Sequence, residues 1–267
     1  MTRLRTTISV LFYVAAAVAE PLSPARKREV LHAALNAYDQ AVAVSREDAG
    51  RALELYRQAA AGFRALREAG VQNPALEYNF GNTHFRLGSL GHAILHYRRA
   101  ATLDPGDTRI AANLRYARGR VEPHISPTGS SRLAQHLLAW HYQSSARQRY
   151  AALVGATGAG ACFLLAWLRW RRRGVALAGL ALVLCGWCAG GSVLWQNWDE
   201  SRSPHAVLVQ DQQPLRLARG ESADLALPQP LWAGVELRIL QQRGDWVEVR
   251  LVNDQTGWLP AAAVTRL

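Results

Sequence analysis

The residues with the most reactive chemistry are three cysteines, two of which form a Cys185-Gly186-Trp187-Cys188 motif. A C-x-x-C pair acts as a redox centre where a helix N-terminus activates the first thiol. Here the motif lies inside an uncharged stretch, where no helix N-terminus is expected, so membrane thiol redox chemistry with Cys185 and Cys188 is only a minor alternative. Two simpler structural roles in helix packing explain the same residues. Cysteines, including Cys162, pack as small apolar side chains between helices, and Gly186-x-x-x-Gly190 allows helices to approach closely.

Other catalytic and ligand-binding patterns do not stand out in the sequence. Neither GxxxxGK[ST] nor GxGxxG occurs, and no Ser/His/Asp arrangement or carboxylate pair is recognisable. Three cysteines cannot form a disulfide framework, and no Cys/His cluster has zinc spacing. His124, His136 and His141 are not spaced by three or four residues, so they do not predict a metal site. We therefore expect no enzyme, no cofactor and no bound metal.

Length and charge indicate a membrane protein of several domains. The 267 residues suit more than one domain, and 49% of them are hydrophobic. The net charge of +11 would fit a nucleic-acid-binding protein if the basic residues were spread over a folded surface. The largest excess, however, lies in 123–198, which has seven arginines and no acidic residue. That stretch also contains the membrane signals, so we expect no nucleic-acid partner.

Two uncharged stretches, 150–168 and 174–198, predict a transmembrane hairpin. Nineteen helical residues span roughly 28 Å, close to the thickness of the hydrocarbon core. The connection, 169–173, contains four arginines, and the positive-inside rule places it in the cytoplasm. These topology residues are Arg169, Arg171, Arg172 and Arg173. The alternative is a buried helical hairpin of a soluble protein.

Two further segments agree with a membrane location. A basic start, a short apolar run and small residues before Glu20 predict a signal peptide over 1–19 that is cleaved after Ala19, with an uncleaved anchor as the alternative. Export would place the following region on the same side as the hairpin ends. Before the first span, 131–146 predicts an amphipathic helix at the membrane surface, with Leu133, Leu137, Leu138 and Trp140 on one face.

Residues 26–120 predict packed helices whose small and aromatic residues recur at fixed spacings. Small residues allow two antiparallel helices to approach, large ones fill the space beside them, and a proline stops the second helix. These repeat-packing residues are Phe80, Gly81, Phe85, Ala93, Tyr97, Ala100 and Pro105. The pattern resembles a tetratricopeptide repeat. We expect about two and a half repeats, the last helix beginning after an N-cap at Asp107.

The resemblance implies a groove, lined by the first helix of each repeat, that binds extended peptides. The positions that face such a groove are Asn79, Asn82, Arg86 and Asn113. Asparagine amides can hold a peptide backbone through paired donor and acceptor contacts. The alternative is that these side chains are ordinary polar residues on a solvated helix face.

Residues 204–267 predict a small all-β domain of five short strands, with turns at 244–245 and 253–254. The expected strands include 215–217 and 257–259. From Gly234 onward the stretch resembles a bacterial SH3-type domain. Trp246 and Trp258 are candidates for an aromatic ligand slot or, alternatively, for the core of the barrel.

The order of segments resembles the BatE-like member of the Bat aerotolerance operon family. The most specific matching stretches are YNFGNTHFRLGSLGHAILHYRRAATLDPGD and ANLRYAR. The resemblance implies a non-catalytic periplasmic scaffold, anchored in the bacterial inner membrane, that supports oxygen or stress tolerance. Its implied partners are membrane proteins with von Willebrand factor A domains, beside a MoxR-type ATPase. An envelope anchor that grips peptidoglycan through the SH3-type domain is the main alternative.

Overall fold

The computed structural model describes residues 22–122, 125 and 144–267. Within these residues the chain is mostly helical, with seven α-helices and one antiparallel sheet of five strands. Two of the helices are long and apolar enough to cross a membrane. The expected combination of helices, candidate spans and a small sheet is therefore confirmed. The predicted signal peptide, 1–19, and residues 131–143 of the predicted surface helix lie outside the described residues.

The first five helices form one helical unit. They are α1 (Pro24–Val44), α2 (Ala49–Glu68), α3 (Pro74–Arg86), α4 (Leu90–Leu103) and α5 (Thr108–Arg118). Four of them have an N-cap residue whose side chain accepts a hydrogen bond from a backbone N–H of the first turn. These N-cap residues are Ser23, Asp48, Asn73 and Asp107. The predicted N-cap at Asp107 is thus confirmed. Helix α4 ends two residues before Pro105, which cannot continue a helix.

Helices of the unit pack in sequence order, with the most extensive contacts between α1 and α2 and between α3 and α4. Gly81 of α3 lies against the ring of Tyr97 of α4, and a Cβ added there would lie 2.6 Å from Tyr97 Cδ1. Ala93 and Ala100 are fully buried on α4. These small residues bring α3 and α4 close together, while the ring of Phe80, also buried, fills the adjoining core.

Helices α6 (Ala146–Trp170) and α7 (Arg173–Arg202) form an antiparallel hairpin. Only Arg171 and Arg172 separate them, because both helices extend further toward the turn than the uncharged stretches do. Arg171 adopts a left-handed conformation with φ of 52° and ends α6. The hairpin turn is therefore shorter than the five residues expected.

Glycines make the contact between α6 and α7. A Cβ at Gly160 would lie 2.7 Å from the Gly179 carbonyl oxygen, and one at Gly186 would lie 3.0 Å from that of Leu153. Gly190 also packs against Leu153, which confirms close approach at Gly186-x-x-x-Gly190. The expectation that cysteines pack between these helices is wrong, because Cys162, Cys185 and Cys188 are all exposed free thiols. Glycine permits a closer approach than any side chain would.

The sheet contains β1 (His205–Leu208), β2 (Glu236–Arg243), β3 (Trp246–Leu251), β4 (Thr256–Pro260) and β5 (Val264–Arg266). Their order is β4-β3-β2-β1-β5, with antiparallel neighbours throughout. Gly244 and Asp245 form the predicted turn, where Gly244 has a positive φ. The expected strand at 215–217 is instead reduced to bridges from Arg216 to Leu225 and to Trp258. The fifth strand is formed by 264–266, which pairs with β1.

The outer face of β1 packs directly on α4. Val207 is fully buried in one cluster with Ala93 and Ile94 of α4, whereas its neighbours in β1 face the core of the sheet. At the same contact a Cβ added to Gly91 would lie 2.5 Å from the Leu208 carbonyl oxygen. The helical unit and the sheet are therefore packed together, which the sequence did not indicate.

A carboxylate joins the two units electrostatically. Glu236 of β2 lies between Arg98 of α4, at 3.3 Å, and Arg118 of α5, which donates two hydrogen bonds to it. Burial raises the pKa of the Glu236 carboxyl, but the two guanidiniums outweigh burial and lower that pKa overall. Arg99 adds a hydrogen bond to the backbone carbonyl of Arg266, at 2.6 Å. Glu236 therefore remains ionised and links α4, α5 and β2.

The sheet is also fixed to the end of α7. Two residues separate α7 from β1, and Asp199 of α7 forms an ion pair with Arg238 of β2 at 2.7 Å. Glu200 accepts a hydrogen bond from the backbone N–H of His205 at 2.9 Å, and its second oxygen lies 2.8 Å from His205 Nδ1. The sheet thus follows the hairpin after a connection of only two residues and is held to α7 by these contacts.

The contact at Gly91 predicts that Gly91→Ala weakens the docking of the sheet on α4. The added methyl group meets backbone atoms, which cannot move aside, so we expect a cost of about 1–3 kcal/mol. Hydrogen exchange of the full chain should become faster at the amides of β1 and α4, and remain slow in α1 and α2. Gly50→Ala is the matched control, because its nearest contact is a side-chain oxygen at 3.4 Å. Equal effects of the two variants would contradict the docking.

Candidate binding groove

Three of the four predicted groove residues lie along one side of α3. Asn79, Asn82 and Arg86 are spaced by three and four residues, which places them on one helix face. Asn79 and Asn82 are half-buried and Arg86 is exposed. The fourth residue, Asn113, lies on α5 and is also half-buried.

Asn82 and Asn113 belong to one hydrogen-bonded cluster. Asn82 Oδ1 accepts from the Tyr97 hydroxyl at 2.8 Å and from Asn113 Nδ2 at 2.9 Å. Asn113 Nδ2 also donates to the Tyr78 hydroxyl at 3.1 Å. These contacts use the acceptor of Asn82 and the donor of Asn113. Among the described residues, Asn82 Nδ2 and Asn113 Oδ1 have no partner, so the cluster offers one amide donor and one amide acceptor.

Tyrosines extend this cluster along the helical unit. The rings of Tyr78 and Tyr97 lie 6.1 Å apart, and those of Tyr38 and Tyr56 lie 5.5 Å apart in an edge-to-face arrangement. Burial raises the pKa of the Tyr97 hydroxyl far above its ordinary value, so this hydroxyl stays protonated and donates to Asn82. Tyr56 and Tyr97 are buried, so only the half-buried Tyr38 and Tyr78 reach the surface beside these polar groups.

Arg86 supplies the positive charge of this region. It is close enough to lower the pKa values of Tyr56 and Tyr97, although burial raises both pKa values overall. The Tyr56 hydroxyl is buried and has no hydrogen-bond partner in the described part of the chain. On the other side of the cluster the guanidinium of Arg109 lies 5.8 Å from the centre of the Tyr78 ring.

A second cluster, which the sequence analysis missed, is a layer of histidines between α3 and α4. The rings of His84 and His92 stack at 4.9 Å, and those of His84 and His96 stack at 5.3 Å and are nearly parallel. His96 Nδ1 lies 2.7 Å from a buried carboxylate oxygen of Glu77. Arg67 of α2 contacts the other carboxylate oxygen at 3.3 Å. We call these five residues the histidine layer.

Burial keeps the three histidines of the layer uncharged. It lowers the pKa of His84 to about 3, with further lowering by His96, His92 and the nearby Arg64. Burial also lowers the pKa of His92 and, despite the opposing effect of Glu77, that of His96. In the described residues, no group of three or more histidine, cysteine or acidic side chains is arranged to hold a metal ion. The layer is therefore a neutral packing element with one ionic end.

Part of this cluster was visible in the sequence. His92 and His96 are four residues apart, so they share a helix face. The position of His84 depends on how α3 is aligned with α4, which spacing within one helix does not reveal.

The two tryptophan candidates lie on the outer face of the sheet. Trp258 pairs with Glu248 and Trp246 with Pro260, whereas the core residues Val247 and Leu259 pair with each other on the opposite face. Trp258 is only 9% exposed, and the guanidinium of Arg219 lies 5.7 Å from its ring centre. Trp246 is half-buried. The structure therefore places both rings away from the core of the sheet.

A comparison with known proteins adds no family, since no family model matches the chain and no curated protein is significantly similar to it.

The histidine layer predicts that the helical unit loses stability in acid. The pKa values of these three histidines in the folded protein lie below the ordinary 6.5, so at acidic pH the unfolded chain binds more protons than the folded one. The free energy of unfolding is therefore unaffected by these histidines above pH 6.5 and falls as the pH decreases below it. Each such histidine can contribute up to about 1.4 kcal/mol per pH unit between pH 6.5 and its folded-state pKa.

We expect His84→Phe, which keeps a planar ring, to make thermal unfolding of the full chain in detergent less dependent on pH between 4 and 7. His32→Phe is the control, because His32 is exposed on α1. Parallel stability curves for wild type and His84→Phe would contradict this account.

Proposed function

We propose that the protein is a membrane-anchored scaffold that holds an extended segment of a partner protein against α3 and α5. The observation that carries the proposal is the cluster around Asn82 and Asn113, whose bonds leave Asn82 Nδ2 and Asn113 Oδ1 without a partner among the described residues. An extended backbone presents the complementary carbonyl and N–H groups at every residue. Side chains of the bound segment would then contact the neighbouring half-buried ring of Tyr78.

Pre-organisation supports binding at this position. Asn82 is held by two hydrogen bonds and Asn113 donates two, so neither amide needs to be ordered when a partner arrives. Tyrosine rings supply large contact areas at a low cost in side-chain entropy. The exposed Arg86 adds a charge at one end of this surface.

The helical unit is proposed to be tetratricopeptide-like and the sheet SH3-type. Support for the first is the pairing of α1 with α2 and of α3 with α4, with Gly81 at the closest approach of one pair. Support for the second is a single antiparallel sheet of five short strands around a shared core. Both kinds of domain bind partner proteins and lack catalytic groups of their own.

We further propose that both units lie in the periplasm of a bacterium, on the outer side of the inner membrane. The two ends of a helical hairpin emerge on the same side. Positive-inside orientation would place Arg169, Arg171, Arg172 and Arg173 in the cytoplasm. The helical unit and the sheet would then share the opposite compartment, which suits their direct packing.

The likeness to the Bat aerotolerance family suggests the biological setting. In that setting the bound segment would belong to a membrane protein with a von Willebrand factor A domain, and the complex would support oxygen or stress tolerance. The order of segments, a helical unit before a hairpin and a sheet after it, is what supports this assignment.

The groove is tested by replacing Asn82→Ala together with Arg86→Ala. A photo-crosslinking residue at position 79 of the full chain should capture the partner segment in intact membranes. We expect the double substitution to lower the crosslinking yield at least fivefold, because it removes the amide donor and the nearby charge, while expression stays normal.

The matched control is Arg57→Ala with Asn253→Ala, which removes the same chemical groups from α2 and from the β3–β4 turn. An unchanged crosslinking yield in the groove variant, at normal expression, would discard the groove.

The topology is tested by thiol labelling in a cysteine-free chain. Ser45→Cys on the helical unit and Ser222→Cys on the sheet unit, both exposed positions, should react in intact cells with a thiol reagent that crosses only the outer membrane. Arg172→Cys at the hairpin turn should react only after the inner membrane is opened. The reverse pattern would place the units in the cytoplasm.

A further inference from the structure

Four arginines are concentrated at the turn of the α6–α7 hairpin, which we call the arginine tip. They are Arg169, Arg171, Arg172 and Arg173, and all four are exposed. Because Arg171 is left-handed and only Arg172 follows it before α7, the turn is tight. The four side chains therefore originate from five consecutive residues.

The charge of the arginine tip is not compensated by the protein. In the part of the chain that the structure describes, none of the four arginines forms an ion pair with an acidic residue. The sequence from 123 to 198 contains no acidic residue at all. By contrast, Arg98, Arg118 and Arg238 at the other end of the molecule are each paired with a carboxylate.

An apolar surface leads directly into the arginine tip. Leu165, Leu168 and Trp170 of α6 are exposed, Trp170 by 63%, and Leu177 is exposed on α7. Exposed apolar side chains on helices of this length are suited to contact acyl chains. The guanidinium of Arg171 lies 5.7 Å from the centre of the Trp167 ring. The arginine tip thus directly adjoins the exposed apolar side chains of α6 and α7 and, in the proposed membrane location, would lie at the level of the phosphate headgroups.

We propose that the arginine tip is a binding site for the phosphate headgroups of anionic phospholipids. This inference rests on the proposed location of the hairpin in a membrane. Guanidinium groups bind phosphate oxygens through two parallel hydrogen bonds, and several guanidiniums favour a lipid with net negative charge over a zwitterionic one. Lipid bound here would hold the hairpin at a fixed depth and so fix the height of the sheet that continues from α7.

The test measures lipid retained by the full chain in detergent by native mass spectrometry, with phosphatidylglycerol and phosphatidylcholine as probes. Wild type should retain phosphatidylglycerol in preference. Arg171→Gln with Arg172→Gln should lower that retention about tenfold, since each juxtamembrane arginine contributes a separate attraction. Arg147→Gln with Arg202→Gln removes the same charge at the opposite end of the hairpin and should change retention less than twofold.

Three results would overturn the proposal: equal loss in the two double variants, equal retention of the two lipids by wild type, or displacement of phosphatidylglycerol by equimolar glycerol phosphate. Displacement by glycerol phosphate would mean that the site binds free phosphate and not a lipid.

Arg171→Lys with Arg172→Lys should retain an amount of phosphatidylglycerol between those of wild type and the Gln variant, because lysine keeps the charge but lacks the planar guanidinium. Thiol labelling from the wrong side would instead contradict the proposed topology, so the two failures are distinguishable.

Discussion

The structure depends on one strand face, that of β2, which carries the ionic contacts of the sheet to both helical parts. Glu236 and Arg238 are two residues apart, so their side chains leave the strand on the same side, opposite the core residue Leu237. Glu236 holds Arg98 and Arg118 of the helical unit, and Arg238 holds Asp199 of α7. A single strand therefore fixes the helical unit relative to the α6–α7 hairpin.

This arrangement determines which surface of the helical unit stays available. The sheet covers one side of α4, where Gly91 and Ile94 meet β1 and the loop before β2. Asn79, Asn82 and Arg86 lie on α3 and make no hydrogen bond or ion pair with the sheet. A short helical array leaves an apolar face uncovered at its end. In this structure β1 packs on α4, so the candidate groove on α3 lies apart from the contact with the sheet.

Much of the fold follows from local sequence, and the parts that do not are contacts between distant segments. Asp107 caps a helix, Gly244-Asp245 turns a hairpin and Gly186 admits a neighbouring helix, each for reasons contained within a few residues. Glu236 is different, because its role requires two arginines more than a hundred residues away along the chain. The pairing of Asn82 with Asn113 and the stacking of His84 likewise depend on tertiary packing. The sequence could therefore name the residues of the candidate groove, but not the hydrogen bonds among them.

Direct attachment of the sheet to α7 has a consequence for how a groove on this molecule would work. Only Ser203 and Pro204 lie between α7 and β1, and the ion pair from Asp199 restrains even that connection. A flexible tether would let the groove explore a large volume, whereas this attachment keeps it at one height above the hairpin. Consider a partner protein confined to the same membrane. A groove at a fixed height would raise the effective concentration of those partner segments that reach this height, and it would lower the effective concentration of segments at other heights. In the proposed scaffold, selection by distance from the membrane would supplement the few hydrogen bonds that the Asn82 cluster would offer a partner.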